Sequence, residues 1–171
     1  MLFIGCAYFD QSKGENIMHE YLLWMPLAAY CIHILEEATL GWKNWAIQSL
    51  KLKQVDWIIF DIANLAVIFI TIAAAMVGWR LPAFALIIPA LMLINGLFFH
   101  ILPTIKDKTY SPGVLTASIL LIPIAIWVYD GAYQDGMLTW STAILSFILG
   151  GLLMATPIIF LKLREIILVK S

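Results

Sequence analysis

Five long apolar stretches, separated by short polar segments, run along the chain. They cover residues 21–40, 57–79, 82–102, 113–130 and 138–161. A helix needs about 20 mostly apolar residues to cross the hydrocarbon core of a bilayer, and each stretch is close to that length. The pattern predicts an all-α polytopic transmembrane bundle of five spans. An N-terminal arm at 1–20 precedes the bundle, and a short tail at 162–171 follows it.

The composition is unlike that of a soluble domain. Hydrophobic residues make up 63% of the chain, charged residues make up 12%, and the mean hydropathy is +0.94. Soluble domains usually have about 45–50% apolar and about 25% charged residues, so the excess apolar surface must face lipid. The formal net charge of −1 gives no indication of a nucleic-acid partner. We therefore expect the lipid bilayer to surround most of the protein.

The basic residues are distributed unevenly between the two sides of the predicted bundle. Eight of the ten follow the first, third and fifth spans: Lys43, Lys51, Lys53, Lys106, Lys108, Lys162, Arg164 and Lys170. Only Lys13 and Arg80 lie on the other side. Cytoplasmic loops of membrane proteins are enriched in Lys and Arg, so this bias predicts a multi-pass protein of the cell membrane with its N-terminus outside and its C-terminus in the cytoplasm.

Polar side chains within the spans gather in the half of the bilayer nearer the cytoplasm. At about 1.5 Å per helical residue, they lie within roughly 11 Å of the inner ends of their helices. The set comprises His33, Glu36, Glu37, Asp61, Asn64, Asn95 and His100, with Tyr110 and Thr116 in the following loop and helix. The outer halves of the spans are almost purely apolar. This asymmetry predicts one shared site.

Helical periodicity places several of these residues on common faces. At about 100° per residue, Glu36 and Glu37 lie about 60° and 40° to either side of His33, so all three should face the bundle interior. Asp61 and Asn64 are three residues apart and should also share a face. They would serve as outer-shell partners of a site or as ordinary interhelical hydrogen bonders, and the sequence favours neither role.

Asn95 and His100 do not fit this simple pattern. Five residues separate them, so an ideal α-helix would turn them about 140° apart. Gly96 gives the backbone slack, and Pro103 disturbs the helical hydrogen bonding near Phe99. We expect a local distortion of the third span that brings the two side chains together.

Two adjacent carboxylates within a span require compensation. A charge at the centre of a membrane helix costs roughly 2.5–3.5 kcal/mol on insertion scales, and the spans contain no Lys or Arg. We predict a metal site with His33, Glu37 and His100 as ligands, Zn²⁺ or Mn²⁺ as the ion, and catalytic roles for His33, Glu36 and Glu37. A metal-free acid–base site is the alternative, and glutamates that merely reach toward water are the simplest interpretation.

Three motifs carry a family resemblance. They are His33-Ile-Leu-Glu36-Glu37, the stretch from Asn95 to His100, and Tyr110-Ser-Pro-Gly-Val-Leu-Thr116. In this order and in these spans, they resemble the signature of the HXXEE-domain family of small integral membrane proteins over roughly residues 21 to 130. The resemblance implies a shared site but no activity, because the function of the family is largely unknown.

The polar site, open toward lipid and cytoplasm, favours an enzyme that acts on a lipid or isoprenoid-type substrate from the cytoplasmic leaflet. Hydrolysis by water that a metal ion activates is the leading hypothesis. A metal-free lipid isomerase or cyclase is the second, and a small transporter or accessory membrane-binding protein is a third, of another class. Gly150-Gly151 offers a close-packing surface for a homodimer. Tyr110-Ser-Pro-Gly113 favours a type II turn, with Tyr110 near the mouth of the site.

Overall fold

The computed structural model describes residues 18–49, 51–52 and 54–170, and every regular element in them is helical. Most of the predicted arm, 1–17, lies outside the described residues. The elements, in chain order, are a 3₁₀ segment His19–Trp24, α1 (Met25–Thr39), α2 (Trp42–Ser49), α3 (Trp57–Val77), a 3₁₀ segment Gly78–Arg80, α4 (Pro82–Ala85), α5 (Ile87–Ile94), a π-helix Asn95–Ile101, α6 (Leu102–Asp107), α7 (Val114–Thr116), a π-helix Ala117–Leu121, α8 (Ile122–Gln134) and α9 (Trp140–Lys170).

Four helical stretches in the described residues are long and apolar enough to cross a membrane. They are Trp57–Arg80, Pro82–Asp107, Val114–Gln134 and Trp140–Leu163. Each begins within two residues of a predicted span. The predicted first span, 21–40, is helical but is not among the four, because His33, Glu36 and Glu37 reduce its apolar content. The structure therefore supports a membrane-type helical bundle with four candidate spans and does not confirm five.

The stretch Pro82–Asp107, which comprises α4, α5, a π-helix and α6, forms the centre of the bundle. It is 61% buried over its most apolar window, against 17–33% for the other three candidate spans. Its buried side chains, among them Ile88, Leu91 and Met92, form the main core with Val67 of α3 and Leu121 of the neighbouring π-helix. The other helices pack around this stretch, so a side chain on it can meet residues from several helices.

Gly150 lets α9 approach this central stretch closely. A Cβ atom at Gly150 would lie 2.9 Å from both the carbonyl oxygen of Ile87 and the backbone nitrogen of Leu91. Gly151 has only Ile94 nearby, at 3.7 Å. The close-packing surface at Gly150, which the sequence suggested for a homodimer, is thus used within the chain. α9 itself continues through most of the predicted tail to Lys170.

Asp135 joins three segments at the end of the bundle away from α2. It accepts hydrogen bonds from the backbone nitrogen and Nδ1 of His19, at 2.5 and 2.8 Å, and from the indole nitrogen of Trp79 at 2.7 Å. Glu20 accepts from the backbone nitrogen of Trp79 at 2.6 Å. Burial alone would raise the pKa of the Asp135 carboxyl, but the hydrogen bonds from His19 and Trp79 hold it below its ordinary value. These bonds fasten the start of the helical bundle to two loops.

Candidate metal centre

Three buried side chains converge where α1 meets the central stretch. His33 and Glu37 lie one turn apart on α1, and His100 comes from the π-helix Asn95–Ile101. Oε1 of Glu37 is 3.7 Å from Nε2 of His33 and 3.5 Å from Nε2 of His100. Both histidines are 0% exposed, and Glu37 is 6% exposed. The three could hold a metal ion, since one potential ligand atom from each lies within 4.8 Å of the others.

The π-helix places His100 in this cluster. Its backbone bonds connect residues five apart instead of four, so Asn95 and His100 lie on nearly the same face. Asn95 Nδ2 is 3.2 Å from His33 Nε2, and both Asn95 and His100 are buried. The predicted distortion of this segment is confirmed, and its form is one wide helical turn.

The hydrogen bonds of His33 determine which of its ring nitrogens carries the proton. Nδ1 is 2.7 Å from the hydroxyl of Thr116. That hydroxyl donates to a carboxylate oxygen of Glu36 at 2.5 Å, so its single proton is used. Nδ1 of His33 must therefore be the donor, and Nε2 presents a lone pair to Glu37 and Asn95. A chain of carboxylate, hydroxyl and imidazole of this kind orients a histidine for metal binding.

His100 has the same arrangement. Its Nδ1 is 3.1 Å from the hydroxyl of Ser111, which donates to the carbonyl of Phe99 at 3.3 Å. With the Ser111 hydroxyl donating to Phe99, the proton of His100 lies on Nδ1 and Nε2 is the unprotonated nitrogen. Its Nε2 is a buried polar atom without a hydrogen-bond partner among the described residues. Buried polar atoms are rarely left unpaired, and this nitrogen beside the Glu37 carboxylate is a position at which the cluster could hold an ion.

The spacing of the cluster suits an ion better than direct hydrogen bonds. Distances of 3.5 and 3.7 Å between Glu37 and the two imidazoles exceed the 2.7–3.2 Å of ordinary hydrogen bonds. Ligands about 2.0–2.1 Å from a tetrahedral Zn²⁺ lie about 3.4 Å from one another. The ligand atoms are spread over as much as 4.8 Å, so the two imidazoles would have to approach each other by about 1.4 Å around a tetrahedral ion. The donor set of two imidazoles and one carboxylate fits Zn²⁺ or Mn²⁺.

Glu36 points away from this cluster and holds the start of the next helix. Its oxygens accept from the backbone nitrogens of Gly113, Leu115 and Thr116, at 3.1, 3.3 and 2.8 Å. They also accept from the hydroxyls of Thr116 and Tyr110, both at 2.5 Å. Free amides at a helix N-terminus are a favourable site for an anion. These bonds favour a positioning role for Glu36 over the predicted catalytic one.

Tyr110 closes this arrangement from the loop between α6 and α7. Desolvation, its hydrogen bond to Glu36 and the charge of that carboxylate raise the pKa of the Tyr110 phenol to about 12. The ring itself is exposed. Tyr110 therefore lies at the surface beside Glu36.

A tight turn brings Ser111 and Gly113 against the histidines. The backbone nitrogen of Val114 donates to the carbonyl of Ser111 at 2.9 Å, and Gly113 has φ +101 and ψ −12. This confirms the predicted type II turn. A Cβ at Gly113 would lie 2.5 Å from Cε1 of His100 and 2.7 Å from Cε1 of His33. The sequence interpretation missed the site roles of both residues, although the Ser-Pro-Gly signal marked the turn.

Asn64 and Asp61 are separated by the structure. Asn64 is buried, accepts from the Tyr30 hydroxyl at 2.9 Å and donates to the carbonyl of Phe60 at 3.0 Å. Asn64 therefore forms an interhelical hydrogen bond between α3 and α1, which is one of the two roles that the sequence allows. Asp61, three residues earlier on the same α-helix, is exposed. Asn64 sits at the buried edge of α3 and Asp61 just outside it.

An apolar cavity of about 520 Å³ adjoins the cluster. Glu37 and Asn95 line it from one side, and most of its wall comes from hydrophobic side chains of α3 and α9. Trp45 of α2 also lines it, and its ring stacks on His100 with centroids 6.2 Å apart. The carboxylate that faces both histidines therefore also faces a space large enough for a small organic molecule.

Comparison with known proteins assigns the family. The model for proteins of unknown function with an HXXEE motif matches residues 24–128, more than half of the chain. The uncharacterized protein YrkK of Bacillus subtilis (strain 168) is 31% identical over 71 residues, which are 40% of this chain and 45% of that protein. The match thus spans less than half the length of this relative. No solved structure matches the chain. The chain belongs to the family of proteins of unknown function with an HXXEE motif.

Proposed function

We propose that the protein is a metal-dependent integral-membrane hydrolase that acts on a lipid or isoprenoid-type substrate from the cytoplasmic leaflet. Zn²⁺ or Mn²⁺ would be held by His33, Glu37 and His100. Such an ion would supply a Lewis acid and lower the pKa of water at the site. Hydrolysis needs water as its only co-reactant. The proposal rests above all on one observation: the buried Nε2 of His100 has no hydrogen-bond partner in the described part of the chain and lies 3.5 Å from Oε1 of Glu37.

The surrounding residues have roles that fit this proposal. Thr116 and Ser111 are the partners of Nδ1 on the two histidines, so both Nε2 atoms point toward Glu37; His33 Nε2 would have to exchange its hydrogen bond from Asn95 for the ion. Glu36 fixes Thr116, and Glu37 and Asn95 face both the histidines and the apolar cavity. A substrate group that enters from the cavity would reach Glu37 and Asn95 first. The second oxygen of Glu37 is a candidate general base.

The membrane arrangement is part of the proposal. We infer that α1 and the preceding 3₁₀ segment form a fifth span, because they pack against the four apolar helices and are of similar length. The loops and tail with eight of the ten basic residues then lie in the cytoplasm. The cluster would lie in the cytoplasmic leaflet of the cell membrane. The N-terminus would be outside.

The test is metal analysis of the purified full chain. We expect about one equivalent of Zn or Mn per chain after supplementation and dialysis, and loss of most of it in His100→Ala. His19→Ala is the matched control, because His19 binds Asp135 at the other end of the bundle. Wild-type protein without a bound divalent ion, or with an ion that survives His100→Ala, would refute the proposal and favour a metal-free acid–base reaction.

A further inference from the structure

The apolar cavity beside Glu37 identifies the class of lipid that the site accepts. We infer that it binds a single hydrocarbon chain, with the polar group of a single-chain lipid against Glu37 and Asn95. This inference rests on the proposed function for the role of that polar group. The chain-binding site itself rests on the shape and lining of the cavity.

The volume decides the number of chains. A cavity of about 520 Å³ lies within the roughly 300–1,000 Å³ of pockets that bury one drug-sized ligand. A single hydrocarbon chain of ordinary membrane-lipid length is a ligand of that size, whereas a diacyl lipid is more than twice as large. We therefore infer that one chain occupies the cavity.

The polarity of the wall gives the orientation of the ligand. Glu37 and Asn95 face the cavity beside the histidines, and Glu37 makes no ordinary hydrogen bond to either imidazole. The other buried polar pair, Tyr30 and Asn64, is already bonded to itself and to the backbone. Apart from Glu37 and Asn95, the buried wall of the cavity is therefore complementary to an apolar ligand. The polar group of a lipid has its place beside the histidines.

The cavity also has a route to the bilayer. Ile62 of α3 and Phe160 of α9 both line it, and these side chains are 62% and 60% exposed. They mark a gap between α3 and α9 on the lipid-facing surface. At the other extreme, Val67, Leu91 and Leu153 line the cavity near the middle of their helices. A chain that enters between α3 and α9 would end against these three residues.

The experiment uses a photoactivatable hexadecanoic acid with its reactive group near the chain end. The purified full chain in detergent is labelled, and the attachment sites are mapped by mass spectrometry. We expect saturable labelling of cavity residues that unlabelled hexadecanoic acid suppresses and a diacyl phosphatidylcholine does not. Ala63 lines the cavity, so Ala63→Phe should reduce this labelling by at least about ten-fold.

Two further variants keep the inference open to refutation. Ala73→Phe, on the same helix and half-buried but outside the cavity lining, should label like wild type. Leu153→Ala should deepen the cavity and shift competition toward longer fatty acids. Equal competition by the diacyl lipid, or labelling that Ala63→Phe leaves unchanged in folded protein, would overturn the inference.

The same preparations separate the two proposals. Metal bound without saturable labelling would refute the chain-binding site and leave the metal centre standing. Saturable labelling of a protein that binds no divalent ion would refute the metal-dependent hydrolase. The cavity would then be a lipid-binding site with another purpose.

Discussion

Gly113 provides the sharpest test of the site geometry, because the backbone passes between the two imidazoles at this residue. An alanine there adds one methyl group, which would lie 2.5 Å from Cε1 of His100 and 2.7 Å from Cε1 of His33. Carbon atoms in contact prefer separations of about 3.5–4.0 Å, so each ring must move by about 1 Å. Metal–ligand distances tolerate only about 0.2 Å. Gly113→Ala should therefore abolish high-affinity metal binding.

The same substitution has a cost for folding that can be divided into two parts. Gly113 has φ +101, a conformation that costs an L-residue about 1–2 kcal/mol. Overpacking against the histidines adds about 1–3 kcal/mol. Gly136→Ala is the matched control, since Gly136 has φ +71 and a Cβ there would meet nothing within 4 Å. Gly136→Ala should lose only the stability that corresponds to the backbone cost of positive φ, and its metal binding should be unchanged.

The assays are denaturant unfolding of the protein in detergent and competition titration with a metal indicator. We expect Gly113→Ala to be less stable than Gly136→Ala by about 1–3 kcal/mol and to bind Zn²⁺ far more weakly than wild type or Gly136→Ala. Equal losses of stability in the two variants, together with unchanged metal affinity in Gly113→Ala, would show that the turn does not hold the imidazoles in place.

Two further predictions concern the hydroxyl and carboxylate partners of the histidines. Thr116→Val removes the acceptor for His33 Nδ1, so metal affinity should fall by about 10–100-fold, and Thr116→Ser, which keeps the hydroxyl, should restore most of it. Titration of both variants measures this, and equal affinities would contradict the role of the hydroxyl. The pKa of the Asp135 carboxyl in the folded protein is held below its ordinary value of 3.8. The hydrogen bonds of the ionised carboxyl therefore stabilise the fold at neutral pH. This stability is lost as the pH falls below 3.8 and through the pKa of the folded state. Thermal unfolding between about pH 3 and 7 should show this acid-dependent loss in wild type and a smaller one in Asp135→Asn; identical profiles would rule out the contribution.

The long apolar stretches could be located from the sequence because the bilayer imposes a length and composition that local residues satisfy. Each of the four candidate spans begins within two residues of its predicted position. The first stretch is less clear, since the residues that make it functionally interesting also make it less apolar. The short helix α2 was not predicted, because its eight residues, Trp42–Ser49, lack a strong pattern and pack through Ala46 against Val55 and Leu161.

The sequence allowed us to predict which residues form the site, but not which residues each of them contacts. The depth of these side chains in the bilayer and the energetic cost of a charge there indicated His33, Glu37 and His100 as site residues. The structure places these three side chains together. Ideal α-helical angles separated Asn95 from His100, and a sequence with Gly96 and Pro103 indicates a distortion without giving its form. The roles of Ser111 and Gly113 depend on how a turn packs against two histidines that are distant in sequence, and no local pattern contains that information.

The two adjacent glutamates illustrate how one motif can build both the ligand set and its support. Residues three and four apart on a helix lie near one another, but neighbours in sequence diverge by about 100°. Glu37, four residues after His33, faces Nε2 of that histidine, whereas Glu36, three residues after it, faces the N-terminus of α7. There Glu36 accepts a hydrogen bond from the hydroxyl of Thr116, so Nδ1 of His33 donates to the oxygen of that hydroxyl. Glu36 thus determines that Nε2 of His33 is the nitrogen directed toward Glu37. In the proposed metal site Glu37 would be a ligand and Glu36 would orient the histidine, so the two glutamates are not interchangeable.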